Sequence, residues 1–167
     1  PVVIGEWQSE TAAVFDDKAK ECNSTIHYAS KIYDIMTIYS SLEFTHYDVY
    51  KKGKCIFFNL GVNVLGNYQM KNLATTLQAI DCYNSLDEPL KISDDILKNG
   101  LKTVKSATRF IGRWQLLGKD PLIIADSAHN LSGVSLVLDQ IKNIHYEQLH
   151  IVFGTVKDKD PSAILDL

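Results

Sequence analysis

Between residues 56 and 64 every second side chain is large and apolar: Ile56, Phe58, Leu60, Val62 and Val64. A period of two matches a pleated strand with one buried face, whereas on a helix these residues would scatter around the axis. Tyr47–Tyr50 precedes this run across Lys51-Lys52-Gly53-Lys54. Two strand-like runs separated by so short a glycine-containing segment predict an antiparallel hairpin. Gly61 and Gly66 mark a bulge or the strand's end. The period then changes. Leu73, Leu77 and Ile80 fall at i, i+4 and i+7, which predicts a helix over 72–83. A chain that alternates between these two periods belongs to the mixed α/β class.

The remaining elements follow from the same patterns. Pro1–Ile4 reads as a buried strand, and Ser9 as the cap of a helix carrying Ala12, Phe15, Ala19 and Cys22 on one side. Thr25–Ala29 reads as the next strand, while residues 30–46 follow no clear period. Ser93-Asp94-Asp95-Ile96 is a cap with an acidic first turn, and Gly100 interrupts or ends the helix it opens. Lys105–Phe110 reads as a connector, which places a boundary between a first domain, 1–109, and a second, 110–167. In the second, Leu122–Ala125 is a continuous apolar run of the kind covered on both faces. Val134, Val137, Leu138 and Ile141 form one helical stripe, and Leu149–Phe153 is another apolar run. Strand, helix and strand at this spacing predict a right-handed βαβ unit. Asp160-Pro161-Ser162 opens one more helix.

Composition narrows the function classes. The 167 residues are 46% apolar and 22% charged, which suits a packed core. Seventeen basic against twenty acidic residues give a net charge of -3, so there is no electrostatic footprint for nucleic acid or an anionic membrane. No apolar run approaches the roughly 20 residues needed to cross a bilayer. Cys22, Cys55 and Cys82 are odd in number and widely spaced, which fits free thiols in a reducing cytosol better than a disulfide framework or a zinc site. His27, His46, His145 and His150 have no metal-ligand spacing. Tyr28, Tyr33, Tyr39, Tyr47 and Tyr50 are core candidates rather than stacking platforms for bases. The opening Pro1-Val2-Val3-Ile4-Gly5-Glu6 has no initiator Met and no leader pattern, as expected of an internal stretch of a longer protein.

Ligands of open α/β sheets bind at the carboxyl ends of strands. That rule singles out Asp126-Ser127-Ala128-His129-Asn130. A carboxylate at Asp126 can accept bonds from two ribose hydroxyls, and His129 and Asn130 stand where a helix N-terminus favours anions. The plainer alternative is that Asp126 and Asn130 cap that helix. Arg113, in Gly112-Arg113-Trp114-Gln115, offers a planar fork of donors for phosphate, or is an ordinary surface arginine. Asn72 has the donor and acceptor that an adenine edge requires, or simply begins a helix. Neither Gly-x-Gly-x-x-Gly nor Gly-x-x-x-x-Gly-Lys-Ser/Thr occurs.

Five segments in order carry a resemblance: Pro1–Glu6, Leu65-Gly66-Asn67-Tyr68-Gln69-Met70-Lys71-Asn72, Gly112–Gln115, Asp126–Asn130, and Val152-Phe153-Gly154 with Asp158-Lys159-Asp160. Together they resemble the folylpolyglutamate synthase/dihydrofolate synthase family of the Mur ligase superfamily. Ser127 stands where that family usually has Gly, and Phe110-Ile111 where Trp-Pro is common. The resemblance implies the second half of a P-loop-type ATPase domain, a mixed sheet with a hairpin, over 1–109. It implies the first part of a Rossmann-like glutamate ligase domain over 110–167. The parent would be a cytoplasmic, monomeric ATP- and Mg²⁺-dependent enzyme that joins L-glutamate to dihydropteroate or to folate polyglutamate tails through an acyl phosphate. Asn72 then matches the adenine contact, Arg113 a phosphate contact, Asp126 the ribose contact, His129 a catalytic histidine near the reacting phosphate, and Asp158 the glutamate side. The metal ligands and the phosphate-binding loop would lie outside this stretch, so residues 1–167 alone would be inactive. Another Mur-type amino-acid ligase, or a non-catalytic α/β nucleotide-binding module, are the alternatives.

Overall fold

The structure, a computed structural model, describes residues 1–87, 89–156 and 160–167. The chain divides into two compact units, Pro1–Arg109 and Phe110–Leu167.

In the first unit, β1 (Val2–Ile4) and β2 (Ile26–Tyr28) pair in parallel, with Val2 opposite Ile26. Parallel neighbours need a crossover, which α1 (Ser9–Glu21) supplies. Gln8, not Ser9, holds the N-cap position, and Ser9 is the first helical residue. Ala12 and Ala19 are buried as the stripe predicts, but Phe15 and Cys22 are exposed. The Tyr28 hydroxyl donates to Asp16 Oδ1 at 2.8 Å and ties the helix to the second strand.

A single 3-10 turn (Ala29–Lys31) leads into an antiparallel meander of β3 (Tyr33–Ser40), β4 (Thr45–Lys51) and β5 (Lys54–Val62), with β4 in the centre. β3 occupies the stretch whose pattern was mixed. The predicted hairpin turn is the two-residue loop Lys52-Gly53, both at positive φ (50° and 79°), the conformation whose twist matches paired strands. The alternation along β5, however, does not stay on one face. Tyr47 pairs with Leu60 and Val49 with Phe57, so Phe58 and Asn59 together oppose Asp48. Asn59 takes a left-handed φ of 55°, and its N–H is held by Asp48 Oδ1 at 2.8 Å. This bulge lies at Asn59 rather than at Gly61. It turns Ile56 and Phe58 outward and Phe57 inward, ahead of buried Leu60 and Val62.

The inward face carries two helices. α2 (Gln69–Ser85) contributes Leu73, Ala74 and Leu77, and α3 (Asp94–Thr108) contributes Leu97 and Leu101. They close over Tyr33, Tyr47, Val49, Phe57, Leu60 and Val62 as one core. Ser93 caps α3 as expected, accepting from the Ile96 N–H at 3.3 Å. The helix then runs through Gly100 and through most of the expected connector, ending at Arg109 in the left-handed conformation. A mid-helix glycine costs about 1 kcal/mol. Burying Leu97 and Leu101 on either side of it outweighs that penalty.

In the second unit β6 (Gln115–Lys119) and β7 (Leu122–Ala125) form an antiparallel hairpin, followed by α4 (Leu131–Ile141) and a short α5 (Ser162–Leu165). The stripe Val134, Val137, Leu138 and Ile141 is half-buried along α4. Two expectations fail. Leu122 and Ile123 are exposed, so β7 is not covered on both faces. Leu149–Phe153 forms no strand, with Val152 wholly exposed, so the βαβ unit expected over 122–153 is not present among the described residues of this unit. A strand exists through its ladder, and β7 pairs with the chain-adjacent β6, which needs only a tight turn. Among the described residues of this unit Trp114 alone is a buried hydrophobic side chain.

Candidate functional site

The candidate residues fall in both units. Asn72 lies in the first turn of α2. The chain reaches it through Gly66, whose φ of +116° and the 2.7 Å that would separate an added Cβ from Tyr68 Cε1 make glycine necessary there. The Asn72 side chain is exposed, and its Nδ2 donates to Gln69 Oε1 at 2.9 Å. Asn72 also opens a shallow groove running along α2 past Thr75, Thr76, Ala79, Ile80 and Tyr83. Lys71, its neighbour, reaches across to Glu6 at the end of β1, 3.0 Å to each carboxylate oxygen. An exposed pair like this contributes little stability, about 0–1 kcal/mol, but brings the Pro1–Glu6 segment beside the start of α2.

Arg113, Asp126 and His129 come together in the second unit. The segment 112–115 enters β6 and the segment 126–130 leaves β7, and the hairpin pairs Gln115 with Ala125. Beyond that pair the two segments are knitted by backbone groups. The Ser127 N–H donates to the Gly112 carbonyl at 2.9 Å, and the Gly112 N–H donates to Gln115 Oε1 at 2.9 Å. Asp126 completes the knot, Oδ2 accepting from the Trp114 N–H (2.7 Å) and Oδ1 from the Ala128 N–H (2.8 Å). Gly112 and Trp114 both sit at positive φ, 74° and 43°. Arg113 is thereby held between two anchored residues, its Nη1 3.3 Å from the Gly112 carbonyl. His129 Nδ1 lies 3.0 Å from the Ser127 carbonyl. A carbonyl only accepts, so Nδ1 carries the proton and Nε2 is the nitrogen left to meet a ligand.

Of the two roles weighed for this loop, Asn130 takes the capping one, its Oδ1 accepting from the Gly133 N–H at 2.7 Å. Asp126 does not cap α4 but clamps the two segments. Asp158 lies outside the described residues. Nearby, Asp160 Oδ1 accepts from both the N–H (3.0 Å) and the hydroxyl (2.6 Å) of Ser162. These two bonds hold its carboxyl below the usual range. Among the described residues no group of three or more His, Cys, Asp or Glu is placed to hold a metal ion, and no helix is long and apolar enough to cross a membrane.

Sequence reasoning missed Gln69 and Gln115, the two amides that orient Asn72 and the Gly112 turn. The i, i+3 spacing of Gln69 and Asn72 in one helical turn was a signal that could have found the first.

Residues 112–166 match the family described as Mur ligase, glutamate ligase domain. The chain is 27% identical over 108 residues to a folylpolyglutamate synthase of Lacticaseibacillus casei, covering 65% of this chain and 24% of that protein. It is 26% identical over 163 residues to a dihydrofolate synthase/folylpolyglutamate synthase of Bacillus subtilis, 95% of this chain and 36% of that one. Among solved structures, a folylpolyglutamate synthase in complex with AMPPCP and folate superposes with a TM-score of 0.72 at 23% identity, covering 89% of this chain and 34% of that chain. The folylpolyglutamate synthase of Thermotoga maritima gives 0.68 at 24% identity, 85% and 31%. The chain therefore spans about a quarter to a third of the length of these relatives. In sequence the chain is similar to folylpolyglutamate synthases and dihydrofolate synthase/folylpolyglutamate synthases, it shares their mixed α/β fold, and over residues 112–166 it matches the Mur ligase glutamate ligase domain.

Proposed function

We propose that residues 1–167 form part of an ATP-dependent ligase that adds L-glutamate to dihydropteroate, to folate polyglutamate tails, or to both. Residues 1–109 would be the second half of its P-loop-type ATPase domain, and 110–167 the first part of its glutamate ligase domain. The observation that carries this reading is the knot of 112–115 with 126–130, which holds Arg113 and His129 on one pair of segments within the matched stretch.

The reaction activates a carboxylate as its acyl phosphate. The amine of glutamate then attacks the acyl carbon, and phosphate leaves from a tetrahedral intermediate. Catalysis of this kind is mainly positioning and electrostatic stabilisation. Asn72 would read the adenine edge. The Arg113 guanidinium would pair with phosphate oxygens, and the Asp126 carboxylate would accept ribose hydroxyls. The His129 Nε2 would face the reacting phosphate. As a neutral imidazole it accepts there; protonated, it donates and offsets developing charge. Asp158 is proposed for the glutamate side. No cluster among the described residues fits magnesium, and no step is routed through it.

The test is ligation by the full-length polypeptide carrying this stretch, supplied with ATP, glutamate and either dihydropteroate or a folate, against muramyl precursors as the competing class. ADP release coupled to folate substrates alone supports the reading; turnover only with muramyl substrates overturns it. His129→Ala should depress kcat with little change in the KM for ATP. Residues 1–167 by themselves should show no turnover, and calorimetry should find ATP affinity weaker than micromolar.

A further inference from the structure

The chemistry of the base pocket depends on more than Asn72. A carboxamide offers one acceptor oxygen and two N–H donors, and rotating it by half a turn exchanges them. An exposed asparagine therefore has no fixed reading until something fixes its orientation. On α2 that partner is Gln69. Its side chain is buried, 8% exposed, in the first helical turn, and its Oε1 takes one Nδ2 hydrogen of Asn72 at 2.9 Å. Its backbone N–H is itself tied to the Gly66 carbonyl at 2.9 Å, so the amide hangs from an anchored turn. The Thr76 hydroxyl donates to the Asn72 carbonyl at 2.9 Å and holds the backbone beneath the side chain. With one N–H spent on Gln69, Asn72 shows the groove an acceptor, Oδ1, beside a single remaining N–H.

We propose that Gln69 is a positioning residue that sets the Asn72 carboxamide to select 6-amino over 6-oxo purine nucleotides. This rests on the reading of Asn72 as the base contact. A 6-aminopurine edge carries an N–H donor next to a ring-nitrogen acceptor and complements an acceptor beside a donor. The matching N1–C6 edge of a 6-oxopurine carries the reverse order, an acceptor oxygen next to a ring N–H donor, and meets the Asn72 oxygen with a repulsion. Without Gln69 the carboxamide rotates to suit either base.

The experiment compares ATP with ITP, which differ at this edge, as substrates for the full-length polypeptide bearing Gln69→Met, Gln69→Glu or Asn72→Ala. Gln69→Met preserves bulk without an acceptor and should lower the ATP-over-ITP preference in kcat/KM about tenfold, the scale of one base-edge contact, with kcat for ATP little changed. Gln69→Glu keeps an acceptor facing Nδ2 and should retain the preference. A second readout needs no activity: in the isotope-labelled full-length polypeptide the Asn72 Nδ2 proton bonded to Gln69 should exchange slowly and lie downfield of an exposed asparagine's in the parent and in Gln69→Glu, and lose both properties in Gln69→Met. Should Asn72→Ala abolish discrimination while Gln69→Met keeps it, positioning by Gln69 is wrong and the base contact stands. An unchanged KM for ATP in Asn72→Ala defeats the base contact itself. A parental melting temperature for Gln69→Met excludes misfolding as the source of its loss, and the retained preference of Gln69→Glu serves where that variant does not fold.

Discussion

Replacing Asp126 by Ala removes the acceptor of two backbone amides at once, Trp114 at 2.7 Å and Ala128 at 2.8 Å. A hydrogen bond to a charged group contributes about 1.5–3 kcal/mol. Two such bonds would give about twice that if both amides became dry orphans. Asp126 is only half-buried, so water reaches part of the vacated site and the lower end applies, about 2–3 kcal/mol for the pair. At about 1.36 kcal/mol per decade this is a loss of roughly 30- to 160-fold in local protection. Amide hydrogen exchange reads it directly. The Trp114 and Ala128 N–H groups should exchange faster by that factor, while amides bonded within α4 serve as internal reference. Asp126→Asn keeps one oxygen but turns an NH₂ toward the other amide, so one of the two protections should survive. If neither amide in Asp126→Ala moves beyond about twofold, the ±0.5 kcal/mol of an indifferent surface change, the carboxylate is no clamp and the account of the loop fails.

The Asn84 carboxamide grips the backbone of Ile92 at both ends, Oδ1 accepting from its N–H (2.9 Å) and Nδ2 donating to its carbonyl (2.8 Å), so Asn84→Ala should cost about 1–2 kcal/mol in urea denaturation. Leu73→Ala opens a cavity beneath α2 and should cost about 2–5 kcal/mol, whereas Phe58→Thr, on the outward face beyond the bulge, should stay within about 0.5 kcal/mol. A Phe58 variant as damaging as Leu73→Ala would mean the β5 register is wrong. The Asp160 carboxyl should titrate below 3.8 by NMR and return toward it in Ser162→Ala. Because its folded value is depressed, its support for the α5 turn is present above the unfolded pKa and lost as pH falls through the folded one.

Local chemistry was legible where it is self-contained. Lys52-Gly53 specifies its turn by the φ values it permits, Ser93 its cap by a hydroxyl three residues before an amide, and the 73/77/80 spacing its helix by geometry. What escaped depends on a partner distant in sequence. The face switch in β5 is set by Asp48, eleven residues away, so a perfect alternation pointed to one face when the ladder makes two. β3 mixes Asp34 and Thr37 with apolar residues because most of its length is exposed, and exposure removes the pressure that writes a period into sequence. In the second unit, an apolar run at 149–153 has strand composition, but composition does not supply a neighbour to pair with. The candidate residues were legible as chemistry, not as arrangement: Asp126 looked like a ligand or a cap and is first a clamp.

Under the proposed function, the clamp at Asp126 has a consequence for the kinetics of the full-length polypeptide. Arg113 is presented between Gly112, held by Ser127 and Gln115, and Trp114, held by Asp126. The positive φ at Trp114 is sustained against a preference of about 1–2 kcal/mol for the ordinary right-handed conformation, and the Asp126 bond opposes its relaxation. Removing Asp126 therefore loosens Arg113 as well as deleting an acceptor. If the carboxylate acts on ATP only through ribose, the penalties on the KM for ATP in Asp126→Ala and Arg113→Ala should add in the double variant, as they do for independent groups. The knot predicts otherwise: once Asp126 is gone, Arg113→Ala should cost markedly less than in the parent, with a coupling of about 0.5–3 kcal/mol between the two positions. Strict additivity would leave Asp126 a separate ligand contact and deny it the positioning role that the backbone bonds assign.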